Sequence, residues 1–146
     1  MIEFKVPNIL ISIKPEWVKK ILSGEKTIEV RKTKPKFAPP LTCYIYECGT
    51  GKIVAEFICD KMDTYEPMSG SPFSELEEKC WDGERWTNID YNKMCLSEKE
   101  FNDYKRDSWS VYGWHISNLK IYETPIDLKE HGIKRPPQSW QYIYMI

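Results

Sequence analysis

No stretch of this 146-residue chain approaches the ~20 consecutive apolar residues of a membrane-spanning helix, which sets that class aside. The opening MIEFKVPNIL lacks the charged, apolar and small-residue regions of a secretory signal, so a soluble, intracellular, cytoplasmic setting is expected. The five cysteines, Cys43, Cys48, Cys59, Cys80 and Cys95, form no C-x-x-C pair and are odd in number. That pattern disfavours a disulfide framework and a zinc ribbon, and reduced, mostly buried thiols are expected. There are two histidines, His115 and His131, and no acidic cluster has magnesium-site spacing, so neither a metal nor a cofactor is expected. There is no glycine-rich phosphate loop, no regular βαβ spacing, no internal repeat and no low-complexity tract.

Aromatic residues are abundant: 6 Trp and 9 Tyr, within a composition 41% hydrophobic and 29% charged. This is a globular composition, and the length suits a single domain over residues 1–146. The net charge of −1 conceals an asymmetry. Residues 14–36 hold eight Lys or Arg against three Glu, a local charge of +5, whereas residues 37–110 hold eight against fifteen Asp or Glu, a local charge of −7. A basic face on an acidic body fits this pattern, and so does a merely solvated helix and strand edge.

Asn8–Ile13 (NILISI) reads as a first strand. Pro15 then opens a short helix with Trp17, Val18, Ile21 and Leu22 on one face and Gly24 as its stop. Lys26–Lys32 alternates, placing Ile28 and Val30 on one face and Thr27, Glu29 and Arg31 on the other, as in a half-buried strand. The proline-rich stretch Thr33–Pro40 predicts a surface loop, and Thr42–Glu47 and Lys52–Asp60 predict a hairpin. Residues 61–96 are the least regular, with a short helix expected at Phe73–Cys80. Ser97–Arg106 predicts a helix with a Ser97/Glu100 capping box and an apolar stripe of Phe101 and Tyr104. Val111–Tyr122 reads as a further strand, and the chain ends in a Pro136–Trp140 turn followed by Tyr142–Ile146. Short strands interleaved with short helices imply an α+β fold, a small mixed β-barrel with flanking helices.

The sequence SIKPEWVKKILSGEKTIEVR resembles ASCH domains, whose hallmark is G-x-K-x-x-E-x-R, here Gly24, Lys26, Glu29 and Arg31. The Tyr112–Ile116 strand and the PPQSW ending resemble small bacterial and phage-type members. Residues 61–96 match nothing in that pattern and form a candidate insertion. The resemblance implies a PUA-like β-barrel, in a superfamily that commonly binds RNA or modified nucleobases beside the motif. It also brings in relatives that act as amidohydrolases on acylated cytidines, and at least one assigned nuclease activity. In the amidohydrolase type a nucleophilic Thr stands where this chain has Glu29, so that mechanism does not transfer intact.

In the binding reading, Arg31 and Lys32 meet phosphate, Lys14 and Lys26 add positive field, and Glu29 accepts from an exocyclic amine such as that of cytosine. Trp140 stacks on a base, with Gln138 and Ser139 facing the ligand. In the hydrolase reading, Glu29 activates a water or Thr27, and Lys26 stabilises the oxyanion or serves as an activated amine. A protein-interaction module docking through the acidic segment is a third class. Simpler readings stand beside these. Glu29 and Arg31 pair with each other in solvent, His115 is a structural histidine, Trp17, Tyr44, Tyr46 and Phe57 are core, and Trp81 and Trp86 form either a lid or a satellite cluster.

Overall fold

The computed structural model describes residues 6–68 and 76–144. Ten strands divide into two five-stranded sheets. The first sheet is ordered β10-β1-β3-β4-β9, with β1 (Asn8–Ile13) interior, β3 (Leu41–Glu47) at the centre, and β4 (Lys52–Cys59), β9 (Ser117–Asp127) and β10 (Trp140–Ile143). The second sheet is ordered β2-β8-β5-β6-β7, from β2 (Ile28–Arg31), β8 (Val111–His115), β5 (Met62–Met68), β6 (Glu77–Trp81) and β7 (Trp86–Thr87). β1 and β3 run parallel, and every other pairing is antiparallel. The fold is α+β as expected, but a closed barrel is not found among the described residues.

β1 is buried on both faces, which is why it reads as a continuous apolar run without alternation. Ile9, Ile11 and Ile13 join the main core with Phe57 and Trp114, while Leu10 joins a cluster with Ile53 and Ile143. β3 and β4 form the predicted hairpin, with burial alternating along β4 and along β3 up to a bulge at Ile45/Tyr46, and the turn between them carries Gly49 and Gly51 at positive φ. Helix α1 (Pro15–Leu22) seats Val18 and Ile21 in the core. Helix α3 (Glu98–Lys105) has both halves of the Ser97/Glu100 capping box, and Phe101 is fully buried beneath it.

Three expectations are corrected. Glu77–Trp81, where a helix was expected, is strand β6 paired along β5; residues 73–75 of that expectation lie outside the described residues. Cross-strand pairing outweighs the local helix preference of the EEKC stretch. Val111–Tyr122 is two strands in different sheets, because at Ile116 the chain leaves β8, donates its N–H to the Thr27 carbonyl and enters β9. A strand that switches sheets at a corner keeps its apolar pattern, so periodicity does not reveal the break. β2 is not half-buried: Ile28, Glu29 and Val30 are all buried. A short helix α2 (Tyr91–Met94), capped by Asp90, was not expected, since four residues are too few to show a period.

Gly113 on β8 sits where an added Cβ collides with the hydroxyl and ring edge of the buried Tyr65. Gly113→Ala is therefore expected to destabilise the protein by about 1–3 kcal/mol, the usual cost of overpacking. Urea unfolding measures this. Tyr65→Phe in the same background restores only part, because a ring carbon still stands 2.8 Å from the new methyl position.

Candidate functional site

The motif acts through the geometry of the α1–β2 junction. Gly24, at φ +85°, donates to the Ile21 carbonyl and turns the chain out of α1, and the Lys26 N–H then bonds back to the Lys20 carbonyl. This aims the Lys26 side chain inward, where it is 2% exposed. Its ammonium donates to the Met94 carbonyl at 2.6 Å, lies 3.4 Å from Glu29 Oε1 and sits 5.0 Å from the centre of the Trp17 ring. Burial pushes the Lys26 pKa down from 10.5, and the Glu29 carboxylate opposes that shift.

Glu29 Oε2 accepts from Arg31 Nη2 at 2.6 Å and from Nε at 3.2 Å. The same guanidinium donates to the Ser12 carbonyl at 2.8 Å and to the Ser139 hydroxyl at 3.1 Å. The Ser12 hydroxyl in turn donates to the Pro137 carbonyl at 2.7 Å. The expected Glu29–Arg31 pair thus exists, but with side chains 8% and 12% exposed it is buried, not solvated. A carboxylate shared by two buried cations is a network in which each charge depends on the others.

This triad forms the floor of a cavity of about 760 Å³. Lys14, Lys32, Gln138 and Ser139 also line it, so the topology brings together seven of the nine residues singled out from the sequence. Thr27 and Trp140 are not in the lining. Thr27 is exposed just before β2. Trp140 packs edge-on against Trp114 and Tyr142 and donates from its indole to the Thr33 hydroxyl, which does line the cavity. Trp17, expected in the core, is half-buried and lines the cavity.

One part of the lining was not anticipated. It comes from α3, through Glu100, Asp103 and Tyr104. These stand at i, i+3 and i+4, a spacing that places them on one helix face and was available in the sequence. Their carboxylates offset Lys14 and Lys32, so the site carries both signs where a basic cleft was expected. Glu100 is held by the Ser97 backbone N–H, which lowers its pKa, and Asp103 pairs with Lys99 at 3.1 Å. Lys32 lies 5.2 Å from the centre of the Tyr104 ring, whose hydroxyl is pushed up by burial.

Other reactive groups stand apart. Among the described residues no three His, Cys, Asp or Glu are grouped to hold a metal ion. All five thiols are free, and burial pushes Cys59 and Cys80 up to about 11, which disfavours the nucleophilic thiolate. His115 Nε2 lies 2.6 Å from the buried Asp63, a structural pairing. No helix among the described residues is long and apolar enough to cross a membrane.

A family profile described as the ASCH domain matches residues 11–125. Among solved structures, the chain is similar to ASCH from Zymomonas mobilis at 21% identity, with a TM-score of 0.69, covering 94% of this chain and 87% of that one. A tyrosine-to-phenylalanine variant of the same Zymomonas mobilis protein matches at 20% identity and a TM-score of 0.69, covering 94% and 91%. These are likenesses of fold. No curated protein matches the sequence.

Glu29→Gln leaves Lys26 and Arg31 uncompensated and is expected to cost about 3–5 kcal/mol of stability in urea unfolding. Lys26→Met in that background should regain part of the loss, because it removes one of the stranded charges. Since the folded-state pKa of Lys26 lies below its unfolded value of 10.5, the unfolded chain holds more protons in that interval. The Lys26 contribution to stability therefore rises with pH between the two values. An NMR titration of lysine Nζ resonances should find one midpoint below 10.5, absent in Lys26→Arg.

Proposed function

This chain belongs to the ASCH domain family, and from that membership we propose that it binds single-stranded RNA or a modified nucleobase in the cavity above Lys26, Glu29 and Arg31. The family is PUA-like and often proposed to bind RNA. The observation that carries the reading is the buried Lys26–Glu29–Arg31 triad on the floor of a cavity with Lys14 and Lys32 in its walls.

Glu29 is held in place by two cations, yet a carboxylate offers about four acceptor sites, so Oε1 can still accept from an exocyclic amine. Lys14 and Lys32 are exposed and suit phosphate. Trp17 and Tyr104, rather than Trp140, are the aromatic side chains within reach of a base in the cavity. Arg31 is committed to Ser12, Glu29 and Ser139, which makes it a positioning group as much as a phosphate contact. The two acidic side chains of α3 disfavour a second phosphate on that wall and so favour a base or nucleoside lying against it.

A second reading is favoured by the Lys26 ammonium standing 3.4 Å from the Glu29 carboxylate in one cavity, a cation beside a potential base. Hydrolysis of an N-acylated nucleoside needs a base for water and a cation for the oxyanion. Glu29 would take the proton as water adds to the acyl carbon, Lys26 would stabilise the oxyanion, and the amine would leave with that proton. Because Thr27 does not line the cavity, this route runs through water.

Fluorescence anisotropy with labelled single-stranded RNA at several salt concentrations tests the binding reading. Affinity is expected to fall with salt, and Lys14→Ala and Lys32→Ala should each weaken binding and lower the log–log salt slope by about 1 without altering the fold. Salt-independent binding, or none, overturns it. Release of acetate from N4-acetylcytidine, lost in a folded Lys26→Ala, would move the assignment to the hydrolase.

A further inference from the structure

The second sheet carries an aromatic row that the cavity above does not use. Along its register Arg31 lies opposite Tyr112, Tyr112 opposite Thr64, Thr64 opposite Trp81, and Trp81 opposite Trp86. Directly opposed residues project to the same face of a sheet, so these five form one line across five strands, ~19 Å at ~4.8 Å per strand. The alternate residues Val30, Tyr65 and Cys80 face the core.

Arg31 ends this row in the first cavity. At the other end Tyr112, Thr64, Trp81 and Trp86, with Lys34 and Glu66, wall a second cavity of about 410 Å³. Trp81 and Trp86 are 37% and 38% exposed, with ring centres 5.5 Å apart and planes inclined at 51°. Lys34 lies 5.2 Å from the centre of the Tyr112 ring. Among the described lining residues the acidic group is Glu66, which accepts from the Ser110 hydroxyl at 2.8 Å. The segment leaving β2 connects the two sites, with Lys32 lining the first cavity and Lys34 the second.

We propose that the Tyr112–Trp81–Trp86 row is a second subsite, on which bases of a single-stranded nucleic acid stack while a neighbouring nucleotide of the same strand occupies the Lys26–Glu29–Arg31 cavity. The inference rests on the binding reading above and makes its ligand an oligonucleotide, not a free nucleoside. Exposed aromatic faces offer sequence-tolerant stacking, and alternating lysines beside them track a phosphate backbone. A cross-strand tryptophan pair that only steadies the β6–β7 hairpin accounts for the ring contact. It does not account for Lys34 and Tyr112 extending the row to Arg31.

The test measures binding of a cytidine mononucleotide, a trinucleotide and a hexanucleotide, as RNA and as DNA, to wild type, Trp86→Ala, Trp86→Tyr and Lys34→Ala, with thermal melting as the fold control. Wild type is expected to bind the hexanucleotide more tightly than the mononucleotide. Trp86→Ala should weaken hexanucleotide binding roughly 5- to 150-fold, the loss of one stacked base, with mononucleotide binding unchanged. Trp86→Tyr should restore most of the loss, and Lys34→Ala should reduce the salt dependence for the hexanucleotide alone. If wild type binds the hexanucleotide and Trp86→Ala binds it equally well, the subsite is wrong while the cavity reading survives. Equal losses for the mononucleotide and the hexanucleotide make the pair structural and also overturn the proposal. If wild type binds the mononucleotide alone, the subsite fails and the cavity reading survives; if it binds neither, both fail, and selective quenching of the tryptophans by an oligosaccharide or peptide would name the other occupant.

Discussion

The carboxylate of Glu29 is the interaction on which the rest of the site depends. One side chain holds Lys26 at 3.4 Å and Arg31 at 2.6 Å. Through those cations it ties together five separate pieces of chain: the exit of α1, the carbonyl end of α2, strand β2, the end of β1 and the Pro137–Ser139 turn. Two cations in so dry a place are tolerated only because the anion between them is fixed by its position on β2. The position is fixed in turn by pairing with β8, where Glu29 stands opposite the fully buried Trp114.

That arrangement shapes what the cavity can recognise. The triad keeps one net positive charge in a poorly solvated floor, where a field is screened less than at the surface. Above it, the lining mixes Lys14 and Lys32 with the α3 carboxylates of Glu100 and Asp103, so the walls are not uniformly basic. Such a site discriminates by matching donors and acceptors rather than by attracting any polyanion. Under the proposed binding, a base edge would meet the floor and phosphate contact would fall to the exposed Lys14 and Lys32.

Much of this was legible in the residues. Gly24, Lys26, Glu29 and Arg31 mark the site because charged groups crowd a short glycine-stopped turn that feeds a strand, and β1, α1, the β3–β4 hairpin and the capped α3 follow from period, proline and capping chemistry. The sheet switch at Ile116 was hidden because strand-forming residues continue on both sides of the corner. β6 was hidden because its partner β5 decides its state, and the depth of Glu29 because alternation reports which face a residue takes, not what covers that face.

The sequence by itself determined β1, α1, the β3–β4 hairpin and α3, and the charges that cluster at the α1–β2 junction, since these depend on residues a few positions apart. Only the tertiary structure decided that the Glu29–Arg31 pair is buried, that α3 brings two acids and a tyrosine to the cavity lining, and that Arg31, Tyr112, Trp81 and Trp86 fall in one row. Those facts depend on contacts between strands and helices distant along the chain, and the free energy that selects them comes from packing, desolvation and sheet register, none of which is encoded in any single segment.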